Sequence, residues 1–144
     1  MEKTRKQLKE ISVVILILAA FSLIRSVIDV ILTDFSQASR LEGVTPGLIL
    51  ATQIFLIVFA FVLMIPEIYV GVKGIKIANA SSSSKAPIVW AVILAIFSGV
   101  GVISSVSSLI HQGDLVGDLL ALANTVVDVL LYITYINHVK KLIQ

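Results

Sequence analysis

Five ionisable side chains stand inside long apolar stretches of this sequence: Arg25, Asp29, Glu67, Asp118 and Asp128. Asn124 and Tyr132 lie four residues to either side of Asp128. A charge at the centre of a lipid-embedded helix costs roughly 2.5–3.5 kcal/mol on insertion scales, so such groups pair, face water, or carry protons and ions. The chemistry on offer is therefore ion pairing, hydrogen bonding between helices, and proton or small-cation handling by carboxylates. Arg25 and Asp29 have the four-residue spacing of an ion pair on one helix face, and Asp118 is the second carboxylate expected within reach of Arg25. Asp128 lies about 20 Å along its apolar stretch at 1.5 Å per residue. Its side chain is too short to reach water from there, so it must be hydrogen-bonded, protonated or hydrated. Glu67, which follows Pro66, is long enough to snorkel towards the nearer surface.

Other chemistries lack their residues. There is no cysteine, hence no disulfide framework, thiolate metal site or redox pair. The two histidines, His111 and His138, fall at opposite ends of apolar stretches and cannot share a metal. No phosphate-cradling loop, HExxH pair or dinucleotide fingerprint occurs. The runs ending Ser98-Gly99 and Gly117-Asp118 resemble the ends of intramembrane protease motifs, but each lacks the first glycine. The reading is no enzyme, no cofactor and no metal.

Apolar helices must position the five charges. Of 144 residues, 58% are hydrophobic and 14% charged, and the mean hydropathy is +1.04. A soluble domain is nearer 45–50% apolar and about 25% charged. This composition excludes a secreted domain, a cytosolic enzyme and a disordered tail. Crossing a hydrocarbon core of about 30 Å takes about 20 apolar residues. Four stretches qualify, at about 11–32, 47–72, 87–110 and 115–136. The segments between them are too short for a soluble domain, so the chain reads as one membrane domain. The expected fold class is all-α, an integral membrane four-helix bundle. A signal peptide is the rival reading of the first stretch, with Ser36-Gln37-Ala38 as a cleavage site, but its apolar run exceeds the roughly 7–15 residues of a signal core.

Helix-end residues agree with these bounds. Thr45 before Pro46 reads as an N-cap with proline in the first helical position. Pro87 is expected to play the same part after the serine run 81–84, and Asp114 to cap the fourth helix. Pro66 removes a backbone hydrogen bond and is expected to kink the second helix, freeing the carbonyl of Val62.

Within each span the polar residues share one helix face. These are Ser22, Arg25, Ser26, Asp29 and Thr33 in the first, and Gln53, Glu67 and Gly74 with Ala60 in the second. In the third they are Ser98, Gly101, Ser105 and Ser108. In the fourth they are Asp118, Thr125, Asp128, Tyr132 and Tyr135 with Ala121, and Asn124 alongside. A polar stripe at membrane depth must face protein or water, so four stripes predict a polar interior or a polar subunit interface. The small-residue rows Ala91, Ala95, Gly99 and Gly113, Gly117, Ala121 predict close helix contacts. Residues 15–22 and 91–98 match at Ile17/Ile93, Leu18/Leu94, Ala19/Ala95, Phe21/Phe97 and Ser22/Ser98. That weak repeat raises the option of two tandem helical hairpins.

The basic residues set an orientation. Nine of the eleven lie in the segment before the first span, the second connection and the C-terminal segment; Arg40 alone lies in the first connection. The positive-inside rule then places both termini in the cytoplasm. Topology and anionic lipid headgroups account for these charges, so nucleic acid is not an expected partner. Trp90, Tyr69, Tyr132 and Tyr135 fall near the cytoplasmic ends of their spans and read as interfacial anchors.

The segment from Gly71 through Gly74 to Ala78, with Lys85-Ala86-Pro87 after a short polar loop, resembles that of small four-span membrane proteins of Firmicutes of unassigned function. The resemblance implies a bacterial inner-membrane location and no particular activity. Small multidrug exporters also have four spans, but the glutamate they need in the middle of span one is missing here. The expected role is homo-oligomeric assembly or service as an accessory subunit of a membrane-protein partner. The alternative is an oligomeric proton- or cation-linked transporter or channel using the intramembrane carboxylates.

Overall fold

The computed structural model describes residues 1–32, 43–111 and 115–143. Thr33, the 36–38 cleavage site, Arg40, Gly113 and the Asp114 cap lie outside the described residues. The fold is all-α. In chain order the helices are α1 (Glu2–Leu32), α2 (Pro46–Ala78), α3 (Ala86–His111) and α4 (Leu115–Ile143). Each is long and apolar enough to cross a membrane, and no strand occurs among the described residues.

The helices overrun the apolar stretches. α1 begins at Glu2, well before Ile11, because residues 2–10 are mostly strong helix formers with an acid in the first turn. Its 31 residues give a length of about 47 Å, more than a hydrocarbon core needs. α4 runs on to Ile143, with Lys140 and Lys141 in its last turn where cations suit the helix dipole. The Thr45 cap forms as expected: Leu48 N–H donates to Thr45 Oγ1 at 3.3 Å. α3 starts one residue earlier than expected, at Ala86. Ser84 Oγ accepts the Ala86 N–H at 3.3 Å, and Pro87 becomes the second helical residue, still in the turn whose N–H groups have no intrahelical acceptor.

α2 ends in a Schellman turn. Ser81 N–H donates to Lys76 O at 2.9 Å and Ala80 N–H to Ile77 O at 3.0 Å. The turn needs a left-handed residue, and Ala80 supplies it at φ 57°. Glycine is the usual occupant, since a Cβ is disfavoured there.

The described residues group into two compact units, one of residues 1–16 and 66–144, the other of residues 17–65. Segments of all four helices meet in the first unit, which is the four-helix bundle. Its core is Leu8, Ile15, Val70, Ile77, Ala91, Tyr132, Tyr135 and Val139. The second unit holds the rest of α1 and the first part of α2. Phe21, Phe55 and Ile65 there are all more than 60% exposed, a surface suited to lipid and not to water.

Candidate functional site

Close approach of three helices organises the bundle. Tyr135 is fully buried on α4, and its hydroxyl donates to Val70 O of α2 at 2.9 Å. Ser12 of α1 is also fully buried and donates to Leu8 O at 2.7 Å. Gly74 lies between them. A Cβ there would collide with Ser12 Oγ and come within 2.6 Å of the Tyr135 ring. One turn away, a Cβ on Gly71 would meet Leu16 Cγ at 2.6 Å and Ser12 O at 3.1 Å. These two glycines let the α1 backbone and the Tyr135 ring of α4 pack closely on α2.

Two of the four residues read as interfacial anchors are core residues instead. Tyr132 is 5% exposed and Tyr135 is not exposed at all. Each phenol finds an acceptor on α2, so it can be buried without an orphaned donor. Trp90 is 41% exposed, and Tyr69 is half-buried with Lys73 Nζ 5.8 Å from its ring centroid.

One turn along α4 from Tyr135, the polar groups converge. Tyr132 Oη donates to Glu67 Oε1 at 3.5 Å, a long hydrogen bond. Asp128 is half-buried one turn further on, within electrostatic range of both Glu67 and Tyr132. Two carboxylates and a phenol from α2 and α4 thus share one region of the bundle. Such a group can bind a small cation between its oxygens or hold a shared proton. Asn124 is exposed and belongs to a different face.

The stripes of α3 and α4 do lie on covered faces. Ser98, Gly101, Ser105 and Ser108 are half-buried, as are Asp118, Ala121 and Thr125. A Cβ on Gly101 would meet the Thr125 methyl at 3.2 Å, while the Thr125 hydroxyl is spent on its own helix. Asp118 Oδ2 is buried and has no hydrogen-bond partner among the described residues. The small-residue row of α3 is corrected at its end: Ala91 is fully buried, but a Cβ on Gly99 would meet nothing within 4 Å.

The stripe of α1 does not form a polar interior within this chain. Its covered residues include Leu8, Ser12, Ile15, Ala19, Leu23, Ser26 and Val30, whereas Ser22, Arg25 and Asp29 are exposed. Arg25 Nε and Asp29 Oδ2 stand 3.6 Å apart, as the spacing predicts, with side chains 66% and 65% exposed. Asp118 belongs to the other compact unit.

Among the described functional candidates, sequence reasoning missed Ser12 and undervalued Gly71. The spacing Gly71, Gly74, Ala78 was the available signal, since small residues three and four apart mark a face where another backbone comes close. Comparison with known protein families, with curated proteins and with solved structures found no match.

Proposed function

We propose that this chain is a small polytopic membrane protein that acts through assembly, with copies of itself or as an accessory subunit of a membrane-protein partner. The observation that carries this reading is the Arg25–Asp29 pair, two-thirds exposed on a helix segment otherwise sheathed in apolar side chains. An ion pair facing hydrocarbon is costly, and a facing protein surface removes that cost. Most soluble oligomers are closed and symmetric, and the same geometry suits a pair of opposite charges. Across a two-fold axis along the membrane normal, Arg25 of each copy would have a carboxylate of the other within reach of its long side chain. The test is the mass of the particle in lipid nanodiscs at native protein-to-lipid ratios. A single chain at every concentration, in the presence of its cellular membrane extract, would sink this reading.

The proposed location is the bacterial inner membrane, as the Firmicutes resemblance implies, with both termini in the cytoplasm. Sidedness of the lysines and arginines supports this orientation. Cysteines placed singly at Ser39 and Ser82 should label from opposite sides. Labelling from one side would contradict the four-span topology.

A second reading is favoured by the convergence of Glu67, Asp128 and Tyr132. In it, the assembly moves protons or small cations past these carboxylates. Asp128→Asn and Glu67→Gln should then abolish pH-driven or cation-driven flux in reconstituted vesicles without changing the particle mass. Unchanged flux in both variants would remove this reading and leave assembly alone.

A further inference from the structure

The serine run 81–84 and the first turns of α1 have no part in either reading, yet they form the walls of one cleft. It has a volume of about 380 Å³ and is lined by Arg5, Ile77, Ala80, Ser81, Ser82, Ser83 and Leu142. All its walls belong to the first unit. We propose that this cleft binds a phosphate group, presented by an anionic phospholipid headgroup or by a soluble phosphate.

The walls have the chemistry for it. Arg5 offers a planar fork of N–H donors that matches phosphate oxygens in a bidentate way. No carboxylate lines the cleft. Ser81 spends its hydroxyl hydrogen on Lys76 O at 2.9 Å. Ser82 Oγ only accepts, from Ser84 N–H at 3.4 Å, so its own hydrogen stays available. Ser83 is exposed and makes no hydrogen bond among the described residues. One guanidinium and two hydroxyls are thus ready to donate into the same space.

The backbone brings these groups together at a cost. The Schellman turn after α2 depends on left-handed Ala80, itself a wall of the cleft. A non-glycine residue in that conformation is strained. The turn carries Ser81 to Ser83 back towards the start of α1. Below them, Ile77 and the partly buried Leu142 give an apolar floor, suited to the glycerol and first methylenes of a lipid. The cleft also lies at the basic ends of the helices, with Lys3, Lys6 and Lys9 on α1 and Lys140 and Lys141 at the end of α4. Basic clefts between helices at a cytoplasmic membrane face are where anionic headgroups settle.

The test uses the full chain in zwitterionic phosphatidylcholine nanodiscs, titrated with phosphatidylglycerol in one arm and inorganic phosphate in the other. Thermal shift and lipid retention in native mass spectrometry are read. The expected result is saturable binding weakened about tenfold or more by Arg5→Gln and clearly reduced by Ser82→Ala with Ser83→Ala. Lys3→Gln removes the same charge outside the cleft and should have a small effect. Ala80→Gly should raise the melting temperature and keep the binding. A response to phosphatidylglycerol alone identifies a lipid site, and a response to both identifies a general phosphate site. No saturable response in either arm, or equal losses in Arg5→Gln and Lys3→Gln, would overturn the proposal, the second because it reduces the effect to diffuse charge. Arg5 is exposed, so its replacement leaves the core intact. Because ligand retention is scored separately from the number of copies, and vesicle flux is not read, failure of this site leaves the assembly and transport readings standing.

Discussion

The two compact units handle polar groups in opposite ways. In the unit of residues 1–16 and 66–144, buried polar side chains other than Asp118 are closed on partners in the same chain: Tyr135 on Val70, Ser12 on Leu8, Tyr132 on Glu67. In the unit of residues 17–65, Arg25 and Asp29 pair with each other but stay exposed beside phenylalanines and isoleucines. The difference is the supply of small residues. Gly71 and Gly74 let the α1 backbone and the Tyr135 ring of α4 come close to α2, and Tyr135 then reaches a carbonyl of that helix. The lesson is that glycine spacing, more than polarity, decides which stripe becomes interior.

Four substitutions can break or sharpen this contrast. The largest effect is expected for Arg25→Leu, which leaves Asp29 without its guanidinium in an apolar helix. Loss of the oligomer is expected, while Arg25→Lys keeps a cation and should do less harm. Unfolding in mixed micelles and particle mass measure both. A neutral Arg25→Leu would mean that the pair has no structural use.

Next comes Gly74→Ala. The added methyl must displace the Tyr135 ring and Ser12, which are held by their own hydrogen bonds. Overpacking of this kind costs about 1–3 kcal/mol. The loss should appear in the melting temperature but leave the Arg25–Asp29 pair untouched, since it belongs to the other unit.

A smaller loss, about 0.5–1.5 kcal/mol, is expected for Tyr135→Phe, because only the hydrogen bond to Val70 O is removed and the ring still fills the core. Smallest of all is Gly99→Ala, where a methyl would meet nothing within 4 Å. Helix propensity favours alanine by up to about 1 kcal/mol, so this change should leave stability equal or slightly higher. A destabilised Gly99→Ala would place a second chain against α3 at that point.

Much of the architecture was legible in the residues themselves. Four apolar stretches of about 22–26 residues need no tertiary information to be read as spanning helices, because the cost of unpaired backbone in hydrocarbon leaves helices as the economical form. The Thr45 cap and the Arg25–Asp29 pair were likewise local, set by spacing along one helix. What the sequence could not decide was helix rotation. An apolar helix bound for lipid has hydrophobic side chains on every face, so its pattern does not mark the sector that packs. Only the assembled bundle turned the Leu8–Ser12–Ile15 face of α1 inward. The same packing converted Tyr132 and Tyr135 from expected surface anchors into buried donors, because α2 offers a carbonyl and a carboxylate at their level through the gap that Gly71 and Gly74 leave. Composition and spacing act within a helix; partner acceptors and close backbones exist only between helices, and those are what tertiary structure supplied.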